Sequence, residues 1–281
     1  MSDWKSGLIG PEDYQEPRCP LCMESPDREA GIMPVPLQRI AQKTDEYMGR
    51  RDYAGAERHL RYWMEEARIG KDLRGQFSLW NELMGFYRKM NDKDQAIESA
   101  KNALSLIDAL DNGDTISAGT CYVNCGTVYD AFGLPERALP LFEQAKEVYE
   151  SALPESDARL GGLYNNMALA LVALRRFGEA YELYQKALGV MAEAPNGALE
   201  QAITYLNMAN AVEDEHGLEK GEEKIQQYLE RAALLLDTPE LPRNGYYAFV
   251  CEKCAPGFDY YGWFLYAAEL KERYETIYAG S

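Results

Sequence analysis

The sequence predicts an all-α protein: a solenoid of about six antiparallel helix pairs preceded by an extended N-terminal arm. Four segments, DYAGAERHLRYW, KDQAIESAKNAL, PERALPLFEQAK and FGEAYELYQKAL, place Ala56, Ala96, Ala138 and Ala180 in one register, at spacings of 40, 42 and 42 residues. An amphipathic stretch, LWNELMGFY, CYVNCGTVY, LYNNMALAL or TYLNMANAV, accompanies these segments as the other member of each helix pair, with a small residue or Met near its centre. Turn signals at NDKD, FGLPE and LRRFG part the two helices of a pair, and Pro154, Pro195 and Pro239 part successive pairs. A repeat of this length means that each unit buries its apolar face against its neighbours.

Taken in chain order, residues 1–34 come first. They hold Pro11, Pro17, Pro20 and Pro26 without helical periodicity and read as an arm. At roughly 3.3 Å per residue such an arm reaches on the order of 100 Å, more than six layers at about 10 Å each require. It could lie in a groove of the solenoid as an internal ligand or be a tail with no role. The solenoid, 35–281, divides into repeats near 36–70, 75–111, 114–152, 156–194, 198–237 and 243–278. The first has Thr44 where later leading helices have a small residue. In the middle repeats Gly126, Ala168 and Ala209 admit a close partner helix, and Tyr122, Tyr164 and Tyr205 fill the space between repeats. The fifth carries an insertion of about four residues around EDEHGLEKGEE, and the sixth places Pro256 and Gly257 between its helices. End repeats cap the stack, so their departures are expected.

These repeats resemble tetratricopeptide repeats. A spacing near 42, against 34 in the common form, is similar to the long-helix subclass of kinesin light chains, over roughly residues 36–278. The resemblance implies a right-handed superhelix whose leading helices line a concave groove, and a protein or peptide partner in it.

Three leading helices carry an asparagine before the core Cys or Met: Asn124 in YVNC, Asn166 in YNNM and Asn207 in YLNM. A carboxamide both donates and accepts, so a row of them can pair with the main chain of an extended peptide whatever its sequence. In kinesin light chains asparagines at the matching place contact the backbone of a bound segment. The resemblance carries that role to Asn124, Asn166 and Asn207, and to Asn210 one turn on, with Asn81, Arg88, Thr127 and Asn165 as neighbours that could add specificity. The alternative is that these carboxamides satisfy groups between adjacent repeats.

Composition narrows the function. Asp and Glu outnumber Lys and Arg by 46 to 29, which opposes the counterion release that drives nucleic-acid binding. No stretch reaches the roughly 18 apolar residues of a membrane span and no signal peptide leads the chain, so a cytoplasmic location is expected. Six cysteines form three close pairs. Cys19 and Cys22 in CPLC and Cys251 and Cys254 in CEKC could supply the four thiolates of a structural zinc, within one chain or shared by two; the alternative is free cysteines and no cofactor. Cys121 and Cys125 read as core residues. The two histidines, His59 and His216, sit in charged stretches, are expected to be solvated, and make no triad. No phosphate-loop, dinucleotide or zinc-protease motif is present, so an enzyme is not expected. Two other readings stay open: a self-associating module, a homo-oligomer with its groove closed by the arm or by another copy and with some of Trp263, Tyr260, Tyr261 and Phe264 exposed at its end instead of buried against the last repeat, or a cytosolic peptide-signal receptor.

Overall fold

The structure, a computed structural model, describes residues 31–110 and 113–280. Two compact units divide the chain, Met1–Leu83 and Met84–Ser281. Twelve α-helices and no strand occur among the described residues: α1 (Leu37–Gly49), α2 (Tyr53–Ile69), α3 (Leu73–Lys89), α4 (Lys93–Ala109), α5 (Ile116–Ala131), α6 (Pro135–Ala152), α7 (Ala158–Ala173), α8 (Phe177–Ala192), α9 (Gly197–His216), α10 (Leu218–Leu236), α11 (Gly245–Tyr260) and α12 (Phe264–Ala279).

In the first unit α1 packs on α2. Asp52 caps α2 by accepting from the Gly55 amide, and the small Ala56 lies fully buried beneath it. Residues 1–30 of the arm lie outside the described residues. Its last part returns along the α2–α3 turn, where the Met33 amide donates to the Gly70 carbonyl and the Val35 amide to the buried Asp72 carboxylate, each at 2.9 Å. The same carboxylate accepts from the Gly75 amide, so one side chain starts α3 and pins the chain before α1.

In the second unit α5/α6, α7/α8, α9/α10 and α11/α12 are packed antiparallel pairs, and α6 also packs on α7 and α8 on α9. Leading helices touch across pairs, α5 with α7, α7 with α9 and α9 with α11; successive trailing helices make no comparable contact among the described residues. The stack therefore closes towards its leading side and opens on its trailing side. The close approaches are made by small side chains. A Cβ on Gly126 would lie 2.5 Å from the Phe142 ring, and one on Gly161 2.6 Å from Met191. The alanine register extends further than the sequence reading took it, through Gly221 in α10 and Ala267 in α12, both buried. Tyr164 is buried in the core, and Tyr122 and Tyr205 pack against it half-buried.

The insertion around EDEHGLEKGEE is helical: α9 extends to His216, and Gly217 alone, at φ +79° and ψ 163°, joins it to α10. One expectation is corrected. Pro256 and Gly257 do not part the last two helices but lie inside α11. The exposed Pro256 ring faces solvent, where water can serve the carbonyl its missing N–H leaves unpaired, and the turn is made by Gly262 at φ +85°.

Candidate functional site: the leading-helix face

Each leading helix of the second unit has one face open to solvent on the side towards which the stack closes. On α7 the buried stripe Leu160, Tyr164, Met167 and Leu171 faces the trailing helices. Opposite it lie Gly162, Leu169 and Ala173, with Asn165 and Asn166 about 130° from the buried stripe on either side at 3.6 residues per turn. On α5 the open stripe is Ser117, Thr120, Asn124, Thr127 and Ala131, and on α9 it is Ile203, Asn207, Asn210 and Asp214. The spacing of three and four residues keeps these side chains on one face.

The asparagines differ in their partners. Asn207 Nδ2 donates to Asn165 Oδ1 at 3.2 Å, which ties α9 to α7 and leaves each amide further donors or acceptors. Asn166 is half-buried, with no hydrogen bond to its amide among the described residues. Asn124 is half-buried on α5. Asn210 is exposed and accepts from the Tyr261 hydroxyl at 2.8 Å; that hydroxyl also reaches Glu213 at 2.8 Å. Burial first, and then Glu213, holds the Tyr261 phenol far above its ordinary range, so it remains a donor at any ordinary pH. Thr127 turns its hydroxyl back to the Val123 carbonyl at 2.8 Å, and Arg88 is exposed near the end of α3. In the first unit Asn81 Nδ2 donates to the Phe77 carbonyl one turn back in its own helix.

Sequence reasoning missed the end of this face. On α11 the open positions are taken by Tyr246, Phe249 and Lys253. The Tyr246 and Phe249 rings stack at 6.3 Å, and the Lys253 ammonium stands 5.2 Å above Phe249. The signal was available: Tyr246, Phe249 and Lys253 follow the same spacing of three and four, hidden by assigning Pro256 to a turn. The face thus runs from chiefly uncharged groups on α5, α7 and α9, with Asp214 near the end of α9, to an aromatic surface on α11. It can offer main-chain hydrogen bonds along its length and an apolar contact at one end.

The other candidates fall elsewhere. His59, expected in solvent, is buried against α1, with Nε2 3.2 Å from the Ile40 carbonyl, and burial depresses its pKa. It lies on the inner side of α2, while Arg58, Arg61, Glu65 and Arg68 are exposed. His216 is exposed at the end of α9. Cys19 and Cys22 lie outside the described residues. Cys251 and Cys254 are buried in the core with Phe258, and burial pushes the Cys251 thiol up to about 11 and Cys254 higher still. Cys121 and Cys125 are core residues whose sulfurs stand 3.9 Å apart.

Two family models, both described as tetratricopeptide repeat, match residues 76–151 and 162–190. No curated protein matches the sequence. Among solved structures, BtubC (BKLC) from P. vanneervenii is similar at 18% identity, with a TM-score of 0.62 over 74% of this chain and 84% of that one. A putative kinesin light chain from Podosopora anserina with nearly identical TPR-like repeats is similar at 17% identity, with a TM-score of 0.49 over 72% of this chain and 94% of that one. A single-substitution form of that protein gives 0.51, over 72% and 93%, also at 17% identity. At such identities the likeness is one of fold.

Proposed function

The chain is a tetratricopeptide-repeat protein, and from that premise we propose that it is a non-catalytic scaffold that holds an extended segment of a partner protein along its leading-helix face. One observation carries the reading: uncharged hydrogen-bonding side chains, half-exposed or exposed, recur on the same open face of α5, α7 and α9 and lead to the stacked Tyr246 and Phe249 of α11. Asn124, Asn166 and the Asn165–Asn207 pair supply donors and acceptors to the bound main chain, and the aromatic pair takes an apolar side chain. Thr127 and Asn210 border this path and set preference among segments. The net charge of −17 favours neutral or basic partners over nucleic acid, and no described helix is long and apolar enough to cross a membrane.

The test is capture from lysate by three folded forms of the protein. Gly162→Trp fills the open face of α7, where an added Cβ meets nothing within 4 Å. Asn124→Ala/Asn166→Ala/Asn207→Ala removes the carboxamides. A partner held by the wild type and lost by both variants supports the reading; a partner held equally by all three removes binding from this face.

A second reading, self-association, is favoured by Leu265 and Phe264, which are 90% and 65% exposed at the start of α12. Light scattering decides it: a dimer that becomes a monomer in Leu265→Glu supports that reading, and a monomeric wild type rejects it.

A further inference from the structure

The opposite side of α7 carries a second surface. Because successive trailing helices are not drawn together as the leading ones are, α6 and α8 stand apart and leave a trough whose floor is α7 itself. Two clefts of about 900 and 350 Å³ occupy it and run into one another at Glu150 and Lys186, which line both. The floor is Leu160, Tyr164, Met167 and Leu171, the stripe that faces away from the asparagines. From Arg176 to Glu193 the trough follows α8 for roughly 25 Å, at 1.5 Å per residue.

Its walls are acidic. Seven glutamates line the two clefts against Lys146, Lys186 and Arg176. Those three cations are already engaged: Arg176 pairs with Glu179 at 2.5 Å, Lys146 lies 3.8 Å from Glu150, and the Lys186 ammonium stands 5.8 Å over the Tyr164 ring. Tyr164 donates to Glu150 at 2.9 Å and is fixed at the centre of the floor. Glu143, Glu147, Glu155, Glu182 and Glu193 have no cation within 4 Å among the described residues, and they stand along both walls over an apolar base.

We propose that this outer trough is a second docking site, which takes a lysine- and arginine-rich segment of another protein with apolar side chains seated in the clefts. Charge selects that occupant. The chain's own first 30 residues hold seven acidic and three basic side chains, and a second copy brings a further net charge of −17, so both are repelled. A basic segment meets five uncommitted carboxylates, and its apolar residues cover the half-buried Leu153, Leu183 and Val190 that line the same clefts. The trough and the asparagine face lie on opposite sides of one helix, so the two sites are occupied independently.

The probe is a fluorescent peptide, Lys-Lys-Leu-Lys-Arg-Leu-Lys-Lys, titrated by anisotropy at fixed ionic strength against folded full-length variants. Glu143→Gln/Glu147→Gln/Glu182→Gln removes three charges from the trough, while Glu222→Gln/Glu223→Gln/Glu230→Gln removes three exposed charges from α10. The first is expected to weaken binding about fivefold or more and the second less than about twofold, since only the first loses charges in contact with the peptide. Gly189→Trp, which grows into the larger cleft from a position with nothing within 4 Å of an added Cβ, is expected to abolish binding. Equal losses in the two triple variants would reduce the effect to net charge and overturn the proposal. So would binding that survives Gly189→Trp, or that is lost in Gly162→Trp, which fills the other face of α7.

Discussion

His59 shows how one buried side chain ties a helix to its neighbour. Its ring packs beside Tyr47 at 5.8 Å and its Nε2 meets the Ile40 carbonyl, so the imidazole is a neutral donor within the α1–α2 contact. Desolvation is the main cause of its lowered pKa; the Ile40 hydrogen bond partly opposes it, and Lys43 adds to it. Above the ordinary value of 6.5 both folded and unfolded forms are neutral and the group is silent. As pH falls below that value the unfolded chain takes the proton first, so stability declines until the folded pKa is passed. Urea midpoints measured between pH 7.5 and 5.5 are expected to fall more steeply in the wild type than in His59→Gln. The difference between the two is the informative quantity, because Glu82, raised by desolvation and then by Asp45, acts in the opposite direction. A residue-scale contrast also tests the close helix approach. Gly126→Ala puts a Cβ against three atoms of the fully buried Phe142 ring and is expected to cost about 1–3 kcal/mol. Gly85→Ala, with nothing within 4 Å, is expected to stabilise α3 by about 0.5–1 kcal/mol, and denaturant melts read both. At this scale the asparagines were legible as a row because residue type and spacing are in the sequence. That Asn207 bonds Asn165, 42 residues away, was not, because two half-buried amides of one repeat register present several pairings and only the packed helices select one.

At the scale of elements, each pair is a leading helix with one open face and a trailing helix buried on the side that meets its neighbours, and the joints decide whether the register persists. The tightest joint in the second unit is Gly217, a single residue between α9 and α10 in a backbone region that only glycine enters freely. Gly217→Ala is expected to cost about 1–3 kcal/mol, and hydrogen exchange is expected to rise in the last turn of α9 and the first of α10 before it rises elsewhere. Unchanged exchange at that joint would mean that the strain is absorbed by lengthening the turn. The first four helix pairs could be read from the sequence because Ala56, Ala96, Ala138 and Ala180 repeat at nearly constant spacing. The register was lost afterwards for a physical reason: α9 and α10 are longer than their predecessors and joined more abruptly, so the equivalent small residues, Gly221 and Ala267, no longer fall on the earlier period with the same residue type. The proline in α11 misled for a related reason. A proline inside a helix costs less where water reaches the carbonyl it leaves unpaired, and Pro256 lies on the exposed side.

At the scale of the whole molecule, charge links stability to recognition. A net charge of −17, part of it gathered over the trough between α6 and α8, repels itself in the folded state and attracts basic ligands by the same field. Raising ionic strength from about 0.01 to 0.1 M shortens the screening length from about 30 to about 10 Å, enough to weaken repulsion between carboxylates on neighbouring helices while leaving a short pair such as Arg176–Glu179 largely intact. The two consequences have opposite signs. The melting temperature is expected to rise with salt, because the self-repulsion relieved exceeds the weakening of exposed i,i+3 and i,i+4 pairs, each worth well under about 1 kcal/mol. Binding of the basic peptide to the trough is expected to weaken over the same range. Hydrogen bonding of an uncharged segment along the asparagine face should change little, since carboxamides carry no net charge. Melting followed by calorimetry and binding followed by anisotropy in one buffer series make the comparison. If melting temperature and basic-peptide affinity fell together with salt, the exposed ion pairs would outweigh the repulsion. The acidic surface would then act on the fold chiefly through its local pairs and not through its net charge.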